Sequence, residues 1–199
     1  MKFMILDTET TGVRAREHRI IEIAYQTVDL RRECLEVLTP VSVRRFKPVA
    51  HTAFEPKAYE VNGYYEGHPD WADAPEIDSP DAAISWRQFA DEAKGFFAAG
   101  HNVSFDTFFV AETLKRVNAP YPFHYRAFDT MTFAALGAIF KGTEGWNLIE
   151  TYKNSGGREL EGPQALRPHR AETDVIMVKR MMEVGRKAWA CLEAAGFTT

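Results

Sequence analysis

Cysteine is nearly absent, with Cys34 and Cys191 the only two in 199 residues. That count excludes a disulfide framework, and neither sulfur stands in a metal-ligand spacing, so a reducing cytoplasm is the expected setting. Long apolar runs are missing as well. None reaches the roughly 18 residues of a membrane span, and the run Phe3–Leu6 is too short for the apolar region of a signal peptide. An excess of positive charge is also lacking. Lys and Arg number 24 against 28 Asp and Glu, a formal charge of −4, so no whole-surface attraction to phosphate is expected. Between Ala58 and Trp86 there is no Lys or Arg at all, and there are seven acids. Basic residues gather instead at Arg14–Arg19, Arg31/Arg32, Arg44–Lys47, Arg167/Arg170 and Lys179–Lys187. Such patches can hold a nucleic-acid strand locally, although a solvated face explains any one of them.

An apolar fraction of 45% is ample for a core, and the length suits one compact domain over residues 1–199. Lys2–Leu6, ending at Asp7, reads as a buried central strand. Arg19–Leu30 and Cys34–Phe46 read as a hairpin after it. Pro56–Asn62 reads as a short helix stopped by Gly63. Residues 64–85, acidic and interrupted by Pro69, Pro75 and Pro80, read as a long loop, most simply a solvated insert. Helices are expected over Ser85–Ala98, Ser104–Val117, Thr130–Phe140, Trp146–Asn154 and His169–Ala194. Strands are expected near Phe97–Asn102 and His124–Asp129. Strands first, then strands alternating with helices, give an α/β layer structure.

The residues with chemical potential lie in three short segments. Asp7 and Glu9, in DTETTG, are two apart at a strand end, so both carboxylates share one face. Turn chemistry alone would explain that pair. Asp106, in HNVSFD, heads a helical stripe with Phe109, Val110, Thr113, Leu114 and Val117, the face expected to pack on the sheet. Asp174, in HRAETD, repeats the pattern with Val178, Met181 and Met182. One helix-start aspartate is explained by the helix dipole. Two of them, plus a same-face pair on a strand, are better explained by a shared ligand, because a carboxylate buried without a partner is costly. Four oxygen donors without cysteine suit Mg²⁺ or Mn²⁺. Two divalent ions would neutralise four carboxylates and clamp the attacking and leaving oxygens of an in-line displacement. His169, five residues before Asp174, is the candidate general base and is expected in the approach to the last helix.

Taken together and in this order, DTETTG, HNVSFD and HRAETD resemble the three motifs of the DEDD 3′→5′ exonucleases, in the histidine-bearing, DnaQ-like branch. RIIEIA at Arg19–Ala24 and AYEVNG at Ala58–Gly63 resemble further family segments. The resemblance implies a ribonuclease-H-like fold, a mixed five-stranded sheet with helices on both faces. It implies that Asp7, Glu9, Asp106 and Asp174 hold two Mg²⁺ or Mn²⁺ ions with His169 as base. It also implies that Thr8, Thr10 and Gly12 border the terminal nucleotide, and that Val61 and Asn62 press on its base and sugar. Asn102 is expected to steady the second motif rather than touch substrate, with a simple buried, hydrogen-bonded amide an equal alternative, and Asp129 is expected to cap the following helix.

The expected activity is release of 5′-mononucleotides from single-stranded 3′ ends, DNA slightly ahead of RNA. Exoribonuclease action on RNA 3′ ends or short oligoribonucleotides is the nearest alternative. A catalytically silent nucleic-acid or protein binding module is a third, disfavoured because all four acids and the histidine are present. A replication or repair partner such as a polymerase is conceivable. No attachment tail is recognisable after the last helix, so a stand-alone nuclease is expected.

Overall fold

The computed structural model describes residues 1–141, 147–154 and 170–194, with backbone alone at 137–141 and 192. Its six strands are β1 (Lys2–Thr10), β2 (Ile20–Leu30), β3 (Leu35–Val37), β4 (Ser42–Arg45), β5 (Phe97–Gly100) and β6 (Ala127–Asp129). The helices are α1 (Pro56–Asn62), α2 (Pro80–Ala93), α3 (Val103–Arg116), α4 (Met131–Lys141), α5 (Leu148–Asn154) and α6 (Ala171–Ala194). The sheet runs β3-β2-β1-β5-β6, with β4 also on β2. β1 is antiparallel to β2 and parallel to β5, and β5 is parallel to β6. β1 is thus central, as its apolar run requires, and the sheet is mixed.

Alternation along β1 sends its side chains to two cores. Met4 and Leu6 join a cluster with residues of α2 and α3, such as Phe89, Val103 and Phe109. Phe3 and Ile5 face the other way, onto Leu148 of α5 and Val175, Val178 and Met182 of α6. By the same period of two, Asp7 and Glu9 extend the α6 face, and Thr8 and Thr10 the α3 face.

The sheet has six strands where the sequence suggested five. The expected strand Cys34–Phe46 is broken in two, because Pro40 cannot donate to a ladder. Thr39 fills the gap, its hydroxyl accepting from Thr27 N at 3.0 Å.

The boundaries of residues 64–85 also need correcting. α2 begins at Pro80, five residues earlier than expected, because Ser79 is an N-cap whose hydroxyl accepts from Ala82 N at 3.2 Å and Pro80 is pre-set for the first turn. Nor is the segment before it a solvated insert. Tyr64, Trp71 and Ile77 are buried in the core, Pro69–Trp71 forms a 3₁₀ turn, and Lys47 is bridged to this stretch through Pro75 O and Ile77 N.

Candidate active site

Two helices on opposite faces of the sheet aim their first turns at the end of β1. Asp174 descends from α6 on the face that carries Asp7 and Glu9, and these three carboxylates each place an oxygen within 4.8 Å of the others. Asp106 enters from α3 on the other face. Its Oδ1 accepts from Thr8 N at 2.9 Å and from Thr8 Oγ1 at 2.7 Å, which ties α3 to β1 beside the trio. The β1–β2 register shifts between Glu9 and Thr10, just past the acid pair, with Ile21 of β2 the extra residue. All four acids line one open cleft of ≈ 360 Å³, together with Val61, Asn62, Asn102 and Phe105.

Among the described residues, the site is short of positive charge. Burial pushes Asp7 well above the ordinary carboxylate range, and the charges of Asp174, Asp106 and Glu9 push it further. Glu9 is raised by burial, then by Asp174 and Glu22, while the Arg170 charge pulls it down. Burial raises Asp106 to about 7 against the opposing Thr8 hydrogen bonds, and burial with the Asp106 charge raises Asp174 to about 7. Among the described residues that line the cleft, Lys57 is the one Lys or Arg, against Asp7, Glu9, Glu55, Asp106 and Asp174. An oxygen-only donor set under such mutual repulsion fits hard divalent cations, with Asp7, Glu9 and Asp174 as the converging ligands and Asp106 adjoining.

Several neighbours are committed within the protein. The Thr8 hydroxyl serves Asp106, and the Thr10 hydroxyl donates to Gly12 O at 2.8 Å. Asn62 is buried; its Nδ2 donates to Thr10 O at 3.0 Å and its Oδ1 accepts from Tyr64 N at 2.9 Å, which pins the end of α1 to β1. Gly12 is forced by close approach, since a Cβ there would lie 2.6 Å from the His18 ring. Val61 is exposed on the cleft wall. Asn102 is exposed, at the head of α3 in a left-handed conformation (φ 59°), which overturns the buried-amide alternative, and its Oδ1 accepts from Ser104 Oγ at 3.3 Å within the second motif. Asp129 holds the same segment through its main chain, accepting from Asn102 N and Val103 N at 2.9 and 3.1 Å, and also caps α4 through Met131 N at 2.9 Å. His169 lies outside the described residues.

The sequence reading passed over a second layer. Glu22 stands directly across from Glu9 in the β1–β2 register, and Arg45 directly across from Glu22. Glu22 is fully buried, with Oε2 2.6 Å from Arg45 Nε and Oε1 without a hydrogen-bond partner among the described residues. The Arg45 and Arg170 guanidinium carbons lie 5.6 and 5.5 Å from the Trp71 ring centroid, and Arg170 is ion-paired with Asp70. Trp71 Nε1 donates to Ile21 O at 3.0 Å. The Pro69–Trp71 turn therefore clasps the residue immediately before α6 against the sheet. RIIEIA held one signal of this layer, an acid inside an otherwise apolar strand. The Arg170–Trp71 contact has no local signature.

Known proteins resemble this chain in sequence and in fold. A ribonuclease T from Actinobacillus pleuropneumoniae serotype 5b is 29% identical over 136 residues, covering 66% of this chain and 62% of that protein. Escherichia coli exonuclease I in complex with a dT13 oligonucleotide superposes with a TM-score of 0.72 at 18% identity, over 99% of this chain and 43% of that one. The zinc-bound form of the E. coli exonuclease I–ssDNA complex gives the same TM-score, over 98% and 42%. The chain thus spans about three fifths of the ribonuclease T and about two fifths of exonuclease I. The exonuclease family model, RNase T, matches residues 4–182. With the ribonuclease-H-like fold, this places the chain in the RNase T-type, DnaQ-like family of exonucleases.

Proposed function

We propose that the chain is a divalent-metal-dependent 3′→5′ exonuclease that releases 5′-mononucleotides from single-stranded ends, with DNA slightly favoured over RNA. The observation that carries this reading is the convergence of Asp7, Glu9 and Asp174 beside Asp106 on the floor of an open cleft. Two Mg²⁺ or Mn²⁺ ions would be held by those four carboxylates; when bound, they supply activation of water and stabilisation of charge at the leaving 3′ oxygen. That exonuclease I has been crystallised with zinc and with single-stranded DNA supports cation and strand binding on this fold.

The protein's own groups do the positioning. Thr8 fixes Asp106, Asn62 fixes the wall formed by α1, and the exposed Val61 and the Phe105 ring offer apolar surface to a terminal base. Without cations the four carboxylates would repel a phosphodiester, so cation uptake precedes or accompanies entry of the scissile phosphate into this cleft. His169 is proposed as the general base on the strength of its motif. Replacing it with Ala should lower kcat by roughly 10²–10⁴-fold while Mn²⁺ still binds. Loss of Mn²⁺ binding in that variant would assign the histidine to the metals instead.

An exoribonuclease is the second reading, favoured by the ribonuclease T relative. Side-by-side digestion of 5′-labelled DNA and RNA strands with Mg²⁺, Mn²⁺ or EDTA tests both. A ladder shortening from the 3′ end, faster on DNA and absent in EDTA, is expected. Faster RNA shortening selects the alternative, and a ladder that persists in EDTA contradicts the metal dependence.

A further inference from the structure

A second cavity, ≈ 370 Å³ in volume, lies outside the carboxylate cleft, where the loop between β1 and β2 meets the start of α2 and the end of α3. Its lining carries three guanidinium groups, Arg19, Arg87 and Arg116, and a single carboxylate, Asp78. The three arginines come from three separate parts of the chain. Each is already held in place by main-chain carbonyls. Arg19 Nη1 donates to Glu17 O and His18 O at 3.2 Å. Arg116 Nη2 donates to Ala15 O and Arg16 O at 2.7 and 3.0 Å, and Arg87 Nη2 to Val117 O at 3.0 Å. Side chains anchored in this way have lost their rotamer freedom in advance, so a ligand need not order them.

Their remaining donors are under-used. Arg19 Nε is buried with no hydrogen-bond partner among the described residues. Asp78 is ion-paired with it at 3.6 Å, too long for a hydrogen bond, and is itself half exposed, so a ligand anion can compete with it. Thr113 Oγ1, on the α3 wall and only 8% exposed, is a second buried polar atom without a partner among the described residues. The N-terminus of α2, capped by Ser79 in the same lining, adds partial positive charge. The Arg116 pKa is lowered by burial and by the Arg19 charge, against the opposing charges of Glu112 and Asp78.

We propose that this cavity is a phosphate-binding site. Three forked donors arriving from different directions suit a tetrahedral oxyanion better than a planar carboxylate, which a single fork satisfies. The phosphate can belong to a nucleic-acid strand or be free in solution. A short path joins the site to the cleft. Arg19 N donates to Thr11 Oγ1 at 3.0 Å, and Thr11 N to Arg19 O at 2.9 Å. The neighbouring Gly12 and Val13 line the carboxylate cleft.

The test is calorimetric titration of the full chain in EDTA at low salt, with inorganic phosphate in one arm and oligo-dT in the other. Working without divalent ions separates this proposal from the hydrolytic reading. Arg116→Gln and Arg87→Gln should each weaken binding about tenfold or more, the loss expected for one charge-assisted hydrogen bond. Asp78→Asn, which removes the competing carboxylate, should tighten it. The same pattern for oligo-dT assigns the site to a strand phosphate; the pattern for inorganic phosphate alone assigns it to a free one. Should Arg116→Gln fail to fold, Arg87→Gln and Asp78→Asn decide the matter at the exposed side of the cavity. Affinities for both ligands that ignore these two substitutions would overturn the proposal.

Discussion

At the scale of single residues, the site is governed by like charges that the fold forces together. Raised carboxyl pKa values mean that the folded state binds more protons than the unfolded chain between about pH 4 and 7. For Asp106 and Asp174, each raised from 3.8 to about 7, that contribution is present below the unfolded value and lost as pH climbs through the folded one. Without divalent ions, stability should therefore decline from about pH 4 to pH 7. Mn²⁺ should raise Tm more at about pH 8, where it need not displace protons, than at about pH 5. An equal rise at both pH values in a thermal melt would contradict the assignment. Glu22 gives a second expectation at this scale. Arg45→Met leaves a fully buried carboxylate facing Glu9 uncompensated, which should cost about 3–5 kcal/mol in denaturant unfolding. Adding Glu22→Gln should recover much of that loss; a double variant no more stable than the single would show that the pair does not act as a unit.

Among the elements, the 3₁₀ turn at Pro69–Trp71 has the widest reach. Trp71 is 2% exposed and touches β2 through Ile21, β4 through Arg45 and the head of α6 through Arg170. Truncation to Ala removes a large buried ring and should cost about 3–5 kcal/mol. Because Arg170 adjoins His169, kcat should fall in Trp71→Ala even at temperatures where the variant stays folded. Trp71→Phe keeps an aromatic face for both arginines and should restore much of the rate. Equal kcat in the two variants would confine Trp71 to a packing role. The acidic stretch around it is therefore part of the scaffold of the site, although its composition suggested a solvated loop.

Across the whole molecule, what the sequence disclosed depended on how locally each signal is written. Asp7 and Glu9 were legible because a period of two is a property of one strand. Asp106 and Asp174 were legible because each heads an apolar stripe on one helix. The α2 start was missed despite a local signal, the Ser79–Pro80 cap, because the prolines around it pointed to a loop. The sixth strand arose from one Pro inside an otherwise β-like run. The Arg170–Trp71 clasp and the arginine-lined cavity had no local signature, since their members meet only through long-range packing. The division of the site between two sheet faces explains another detail: three acids cluster tightly, and Asp106 stands beside them, held by Thr8. The proposed cation site is thus a property of the assembled sheet and two helices together.

The most direct measurement of that claim is a calorimetric Mn²⁺ titration at about pH 8, comparing the native chain with Asp174→Asn. The account predicts clear Mn²⁺ uptake by the native chain. In the variant it predicts loss of most of that heat, with an unchanged circular dichroism spectrum and no shortening of 3′ ends. A correctly folded Asp174→Asn protein that binds Mn²⁺ as the native chain does would contradict it.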